Sequence, residues 1–542
     1  MHLQNWLQSR STVWVLLAIL LVALLYNLGG WGVLETSEAR YAEISREMLV
    51  SGNVLHPRLL GILHYHKPPV TYIISAAGMS LFGVNAFGAR FFLQLSFILQ
   101  ALLVYQVGWL LFKNRSVAFT ALIVYVTTPA VLVSARNLTT DSFLATFELL
   151  AIWCWINYKL QSKPAWLFLF YSSLALAFLT KGPVGLIFPV MVVIGFKSNN
   201  TFTAKHSVRH LAGIVFFLLM SASWYIYLMV QDKQFVDYFI LKHLVDRYAN
   251  PETFHRSKPW WFYLLLAPAL SLPWIAILFL YFRKLKHLVA VQKRLFILWL
   301  LAPLLFFSIS SSKLILYILP FFSGLALLVA WLLHQLDDRQ RTIAATIGFG
   351  YFILVSVGLG VVPQFTPTFS LPTIAYGLLA CILLSLFLLW KNVGEKLPKL
   401  LLAALAFTLL LIPLSTHVLE ADPDKTNATG HLATVLKKEG LTNHNLIVYD
   451  KLLPSLAFEL QQNLVSIHDK NRSLERETQF EKDDKWRQNY LQLTNPADSA
   501  AFVKLLTQQS VFIVKGELPE NRSWIIKHFT RYKRVGSWQL YY

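Results

Sequence analysis

The chain has 542 residues, 56% of them hydrophobic and 14% charged, and its mean hydropathy is +0.52. An ordinary soluble fold is excluded by that composition, which is that of an integral membrane protein. The formal charge of +20 does not point to nucleic acid. The basic residues fall in short clusters between apolar runs, the pattern of loops on the cytoplasmic side of a membrane.

Arg10 precedes an apolar run at about 13–29, and no small-residue cleavage pattern follows, so this run reads as an uncleaved first span. Further stretches long enough to cross ~30 Å of hydrocarbon lie near 86–112, 117–135, 142–160, 164–180, 182–196, 209–230, 260–282, 294–311, 314–334, 342–362, 371–390 and 398–417. The fold class is therefore a polytopic α-helical membrane protein with about thirteen transmembrane helices, residues 1–417. The run 70–83 is apolar but short and carries Ser75, Gly78, Ser80 and Gly83, so it reads as an interfacial or re-entrant segment. Cys154 and Cys381 both fall within spans, where they read as small core residues rather than a disulfide or a thiolate metal site.

Loop charge orients this arrangement. With thirteen spans, one side collects Lys113 and Arg115, Lys159 and Lys163, Lys197 and Arg209, Arg283 to Arg294, Arg339 and Arg341, and Lys391 to Lys399. That side is cytoplasmic. The outer side receives the first loop (30–85), the turn before Asp141, Lys181-Gly182-Pro183, the long loop 231–259, Ser310 to Lys313, and everything after 418. Charges and histidines too costly to leave in lipid thus converge on one face.

The first loop is the most informative stretch. Glu38, Arg40, Glu43, Arg46 and Glu47 recur at helical spacing, with Tyr41, Ile44 and Met48 as an apolar stripe, which predicts an amphipathic helix over 37–50 on the membrane surface. His64, His66 and Lys67-Pro68-Pro69 follow before the chain re-enters the apolar region. The run Ser37-Glu38-Ala39-Arg40-Tyr41-Ala42-Glu43-Ile44, with Lys67-Pro68-Pro69 some thirty residues later, resembles the first extracytoplasmic loop of bacterial aminoarabinose transferases. Those enzymes are related to protein O-mannosyltransferases and belong to the GT-C class (glycosyltransferase family 39), which uses polyprenyl-phosphate sugars. The resemblance departs at two points. Ser37 stands where the family usually has aspartate, and His66 where an acidic residue usually precedes the lysine.

Asp141 opens a span after Arg136-Asn137-Leu138-Thr139-Thr140. A carboxylate there caps a helix end well, but the matching turn of the family also presents an aspartate, which makes Asp141 a catalytic candidate beside Glu38. Glu35 is a third carboxylate able to stand in for the missing aspartate, and Arg40 is a further candidate. In the long loop, His243 and Arg247 are four residues apart, on one face if the segment is helical. Lys313 and Tyr317 resemble the family segment in which a cation and a tyrosine face the lipid phosphate, although snorkelling and interfacial anchoring also suit these residue types. Lys181 reads likewise. The resemblance implies donor-phosphate binding by Lys67, Arg247, Lys313 and Tyr317. It also implies a divalent metal at His66, with His243, since imidazole and carboxylate are both ordinary ligands.

From about 418 the composition shifts. Strand-like runs at 446–449, 464–467, 511–514 and 538–541, and helical patterns at 432–438 and 500–507, predict a small extracytoplasmic α/β domain, 418–542, acting as lid or scaffold. Taken together, the chain reads as an inverting membrane glycosyltransferase of the inner (plasma) membrane with its site on the periplasmic side. It takes a sugar from a polyprenyl-phosphate donor to lipid A or another envelope glycolipid. A secreted protein is the alternative acceptor, and a lipid or sugar transporter or flippase the alternative class. A transporter would more naturally show internal repeats and broken helices meeting at the midplane.

Overall fold

The computed structural model describes residues 9–196, 204–237, 258–310, 312–365, 371–422, 427–471 and 474–542. Two compact units emerge. One comprises Met1–Tyr26 and Leu93–His417, the other Asn27–Phe92 and Val418–Tyr542.

The first unit is helical, and its helices carry large apolar side chains into the open, Val22, Leu219, Leu354 and Phe387 among them. That is the surface a bilayer, not water, would cover. Among the described residues, seven helices are long and apolar enough to cross a membrane, or up to nine if each of two bent pairs is one span. All thirteen predicted stretches contain helix, but several are short or interrupted. Arg115–Val126 and Pro129–Arg136 meet at 60°, because Pro129 lacks an N–H and the hydroxyls of Thr127 and Thr128 bond back to Ile123 and Val124 carbonyls. Phe262–Ala269 and Trp274–Leu280 meet at 105° around Pro268 and Pro273.

The second unit holds a six-stranded sheet in the order β5-β4-β3-β6-β8-β7, with strands β3 Asn445–Tyr449, β4 Val465–His468, β5 Tyr490–Gln492, β6 Ser510–Lys515, β7 Tyr532–Val535 and β8 Trp538–Tyr541. A hairpin in the first loop supplies β1 Arg58–Leu59 and β2 Ile62–Leu63. β5, β4, β3 and β6 are parallel, and β8 and β7 add an antiparallel edge. Helix Pro454–Leu460 packs on one face of the sheet, and Pro496–Leu506 on the other.

The predicted first-loop helix forms as Ser37–Ser51, but its environment corrects the reading of a membrane-surface helix. Ile44 and Met48 are buried in one core with Leu432, Leu456, Val448 and Ile513. The stripe meets a sheet face, and protein rather than lipid takes it out of water. Val70–Phe82 is a 13-residue apolar helix that rises only about 20 Å, too short for the hydrocarbon thickness. It packs against Ser37–Ser51.

Candidate active site

In the membrane unit two of the candidate residues, Lys181 and Tyr317, gather by one aspartate. Thr139 is extended, and helix Thr140–Gln161 begins after it, placing Asp141 in the first turn. The carboxylate bonds the ammonium of Lys181, not the amides of its own turn. Lys181 is the last residue of helix Pro164–Lys181, an end that favours a cation. Gly182 stops the helix at φ +81°, and a Cβ there would meet the Tyr225 hydroxyl at 3.3 Å. The Lys181 Nζ also lies 4.1 Å from the Tyr317 ring centroid, at cation–π distance. Asp141 is 9% exposed, so this is a buried ion pair whose partners can be separated only at a cost.

Glu148, which sequence reasoning missed, belongs to the same cluster. It lies seven residues after Asp141 on the same helix, hence on nearly the same face. It is buried, its Oε2 has no hydrogen-bond partner among the described residues, and it lines a small cavity with Lys181, Tyr317, Leu144, Val184 and Phe307. The available signal was a lone carboxylate inside an apolar span. Lys313 is buried, and its ammonium donates to the carbonyls of Lys258 at 2.9 Å and Ser310 at 2.5 Å. Two of its three N–H groups are therefore engaged.

The first-loop candidates form a separate set in the second unit. Glu38 is buried and accepts from Arg90 Nε at 2.8 Å, Arg90 Nη2 at 2.7 Å and the Leu34 amide at 2.9 Å. Arg90, fully buried, also donates to the Leu28 carbonyl at 2.9 Å and the Gly32 carbonyl, and lies 4.2 Å above Trp31. Both carboxylate oxygens of Glu38 are thus taken up in fastening the loop. Glu43 and Arg46 realise the predicted helical charge pairing at 2.6 and 2.8 Å. Glu35 accepts from the Ser455 amide at 2.7 Å, at the start of helix Pro454–Leu460, and burial pushes its carboxyl up to about 7. Ser37 is exposed.

Beyond hairpin β1–β2, whose turn uses Leu60 and Gly61 at positive φ, His64, His66 and Glu477 bring three ligand atoms within 4.8 Å of one another. The Glu477 Oε2 is 3.5 Å from His64 Nδ1 and 3.8 Å from His66 Nε2. Burial pushes the His64 imidazole down, against the hydrogen bond and charge of Glu477. Burial alone would raise Glu477, but the His64 hydrogen bond and charge, with Arg40 and Arg476, outweigh it and hold the carboxyl down at about 2. Two imidazoles and a carboxylate are an ordinary ligand set for a divalent cation. Lys67, next in the chain, is half-buried. His243 and Arg247 lie outside the described residues.

Comparisons with known proteins bear on this arrangement. Residues 66–227 match the family described as dolichyl-phosphate-mannose-protein mannosyltransferase. The undecaprenyl phosphate-alpha-4-amino-4-deoxy-L-arabinose arabinosyl transferase of Erwinia tasmaniensis is 30% identical over 466 residues, 81% of this chain and 82% of that one. The chain belongs to this arabinosyl transferase family. A second relative, transferase 2 of Pseudomonas fluorescens, is 32% identical over 62% of this chain and 61% of its own length. The matches to the first four curated relatives span 61 to 67% of those proteins. In fold, the crystal structure of ArnT from Cupriavidus metallidurans bound to undecaprenyl phosphate superimposes with a TM-score of 0.77 at 22% identity, over 98% of both chains. The GT-C architecture expected from the first-loop resemblance, with the small carboxy-terminal sheet domain expected from the strand-like runs after 418, is therefore the fold of this chain.

Proposed function

We propose that the protein transfers a sugar from a polyprenyl-phosphate donor to an acceptor at the outer face of the membrane, with 4-amino-4-deoxy-L-arabinose as the sugar and lipid A or a related envelope glycolipid as the acceptor. Membership of the arabinosyl transferase family supports the donor class, and the names of its relatives specify undecaprenyl phosphate and 4-amino-4-deoxy-L-arabinose. The observation that carries the reading is the buried Asp141–Lys181 pair beside the Tyr317 ring, in a helix turn that loop charge assigns to the outer side. A secreted protein acceptor is supported only by the partial match of residues 66–227.

In this reading the C1–O bond to the donor phosphate breaks as a bond forms between C1 and an acceptor oxygen on the opposite face, with inversion. Asp141 orients that oxygen and, for a hydroxyl acceptor, receives its proton. A positioned base of this kind contributes roughly 10²–10⁴-fold. Lys181 aims the carboxylate, and the Tyr317 ring lies against the same ammonium. Asp141 is a better base candidate than Glu38, whose oxygens are bonded to Arg90. The leaving polyprenyl phosphate departs as an anion without strong acid assistance, so the demand falls on cations. Lys67 and Arg247 are assigned to that phosphate, with the remaining N–H of Lys313.

A divalent metal at His64, His66 and Glu477 would fix the segment that presents Lys67. Topologically, thirteen passes with a cytoplasmic amino terminus place residues 30–85, 231–259 and 418–542 in the periplasm, supported by the uniformly basic opposite loops. Single cysteines at Asn53 and Asn471 in a cysteine-free background then react with an impermeant thiol reagent in intact spheroplasts. Labelling only after lysis overturns the orientation. Mass spectrometry of envelope lipids and glycoproteins from cells with and without the gene tests the acceptor. A sugar lost from glycoproteins alone would replace the glycolipid assignment.

A further inference from the structure

The membrane unit carries an apolar groove that no part of the proposed transfer uses. It measures about 550 Å³ and is lined by the bent pair Phe262–Ala269 and Trp274–Leu280, by the segment from Leu285 to Leu304, and by helix Phe321–His334. Pro268 and Pro273 lie where the pair turns through 105°, and both halves of the bend contribute, Leu264 and Ala267 from one and Ile275 and Leu278 from the other. Phe321, Leu325 and Leu328 recur at helical spacing and form a buried floor. Phe279, Ile297 and Leu301 are each more than half exposed and form the lips. Ile297 and Leu301 bound a π-helical turn, a distortion frequent at binding sites.

Charge is confined to two positions. Among the described residues that line the groove, Lys286 and Lys293 alone are ionisable cations, and no carboxylate accompanies them. Both are exposed, and neither forms an ion pair among the described residues. They belong to the stretch 283–294, which holds five Lys and Arg residues and no Asp or Glu. The acidic residues of the neighbouring loop are committed elsewhere. That loop is joined to the bend by the Tyr281 hydroxyl, which donates to the Gln340 carbonyl at 3.4 Å. Its Asp338 lies 3.7 Å from Arg341, and its Asp337 accepts the Gln340 amide at 2.9 Å. The Tyr263 hydroxyl, a polar group of the lining, donates to the Leu314 carbonyl at 2.8 Å. A long apolar body with free cations in one stretch is complementary to a single anionic amphiphile.

We propose that this groove is a site for one acidic glycerophospholipid of the bilayer, with an acyl chain on Phe321, Leu325 and Leu328 and the anionic head group at Lys286 and Lys293. Zwitterionic lipid would cover the apolar walls equally well but leaves the two ammonium groups without a net counter-charge. Basic pockets between membrane helices select acidic head groups for that reason, and lysine, a hydrated point charge on a flexible stem, suits a phosphate at the water boundary. The lipid is neither donor nor acceptor in the transfer. It fills the space beside the proline-broken span and holds the bend against helix Phe321–His334.

The test titrates the full chain in detergent with phosphatidylglycerol or phosphatidylcholine, and native mass spectrometry counts the lipids retained. One phosphatidylglycerol should bind about 25-fold more tightly than phosphatidylcholine, about fivefold for each lysine near the head group. Lys286→Gln and Lys293→Gln, both at exposed positions where folding is not at risk, should each lose about fivefold, and the double variant should lose the preference. Arg339→Gln with Lys391→Gln removes two exposed cations of other basic loops that do not line the groove, and should leave the preference intact. Equal affinity of the wild type for the two lipids overturns the proposal. So does an equal loss in the two double variants, which would assign the preference to diffuse surface charge. Displacement of phosphatidylglycerol by one equivalent of undecaprenyl phosphate would give the groove to the donor chain and likewise overturn it. The transfer reading is scored separately, by turnover of Asp141→Asn.

Discussion

Replacing Arg90 with methionine separates an anchoring Glu38 from a catalytic one. The substitution removes a fully buried guanidinium that bonds both Glu38 oxygens and two backbone carbonyls, those of Leu28 and Gly32. It leaves a carboxylate that is 1% exposed without its counter-charge. Breaking a buried pair from one side costs about 3–5 kcal/mol, and at about 2–4 °C per kcal/mol for a unit of this size the midpoint should fall by roughly 6–20 °C. Glu38→Gln strands the guanidinium instead and should cost a similar amount. The double variant should lose clearly less than the sum, because the second change removes the group that the first left unpaired. Thermal unfolding of the four proteins in nanodiscs supplies the cycle, with donor-dependent transfer measured alongside on folded material. Anchoring requires transfer to follow the folded fraction. If Glu38→Gln melts like the wild type yet abolishes transfer, Glu38 is the base and the reasoning fails.

Three further outcomes follow from the same contacts. Glu148→Gln should lower turnover about tenfold, equivalent to about 1.4 kcal/mol, with little change in melting, because Glu148 shares its cavity with Lys181 and Tyr317; wild-type turnover would reduce it to packing. Met48→Ala should destabilise the protein by about 2–5 kcal/mol as a core truncation, where a lipid-facing methionine would cost almost nothing on chemical or thermal unfolding. For Glu35, burial raises the folded carboxyl from 4.5 to about 7. Its contribution to stability is therefore complete below about pH 4.5 and is lost as pH rises through about 7, by up to about 3 kcal/mol. Unfolding midpoints between pH 5 and 8 should lose part of their slope in Glu35→Gln, and an unchanged slope would assign the pH dependence elsewhere.

Hydrophobic run length and charge placement made the helical architecture legible, and the short strand-like apolar runs of the carboxy-terminal domain announced β3, β4, β6 and β8. Missed strands β5 and β7 are three and four residues long, with polar positions that carry little alternation. The span count was less readable, because apolarity does not reveal where Pro129, Pro268 and Pro273 break a helix. Asp141 and Lys181 stood out as charges at span ends, but their pairing across forty residues is a product of packing. Glu477 could not be found from spacing, since 411 residues separate it from His66. The Ile44 and Met48 stripe had the correct period, and periodicity does not say whether lipid or a sheet covers the apolar side.

The central claim is that Asp141 runs sugar transfer at the outer face, and turnover of Asp141→Asn tests it most directly. Asparagine keeps the side-chain shape and can still accept a hydrogen bond from Lys181, but it has neither the charge nor the basicity of the carboxylate. The assay follows donor-dependent sugar transfer from an undecaprenyl-phosphate aminoarabinose donor to lipid A by purified protein in nanodiscs, with melting recorded on the same preparation. The account requires a fall in turnover of roughly 10²–10⁴-fold in a protein that still folds and still binds donor. Transfer at the wild-type rate by folded Asp141→Asn protein would contradict it.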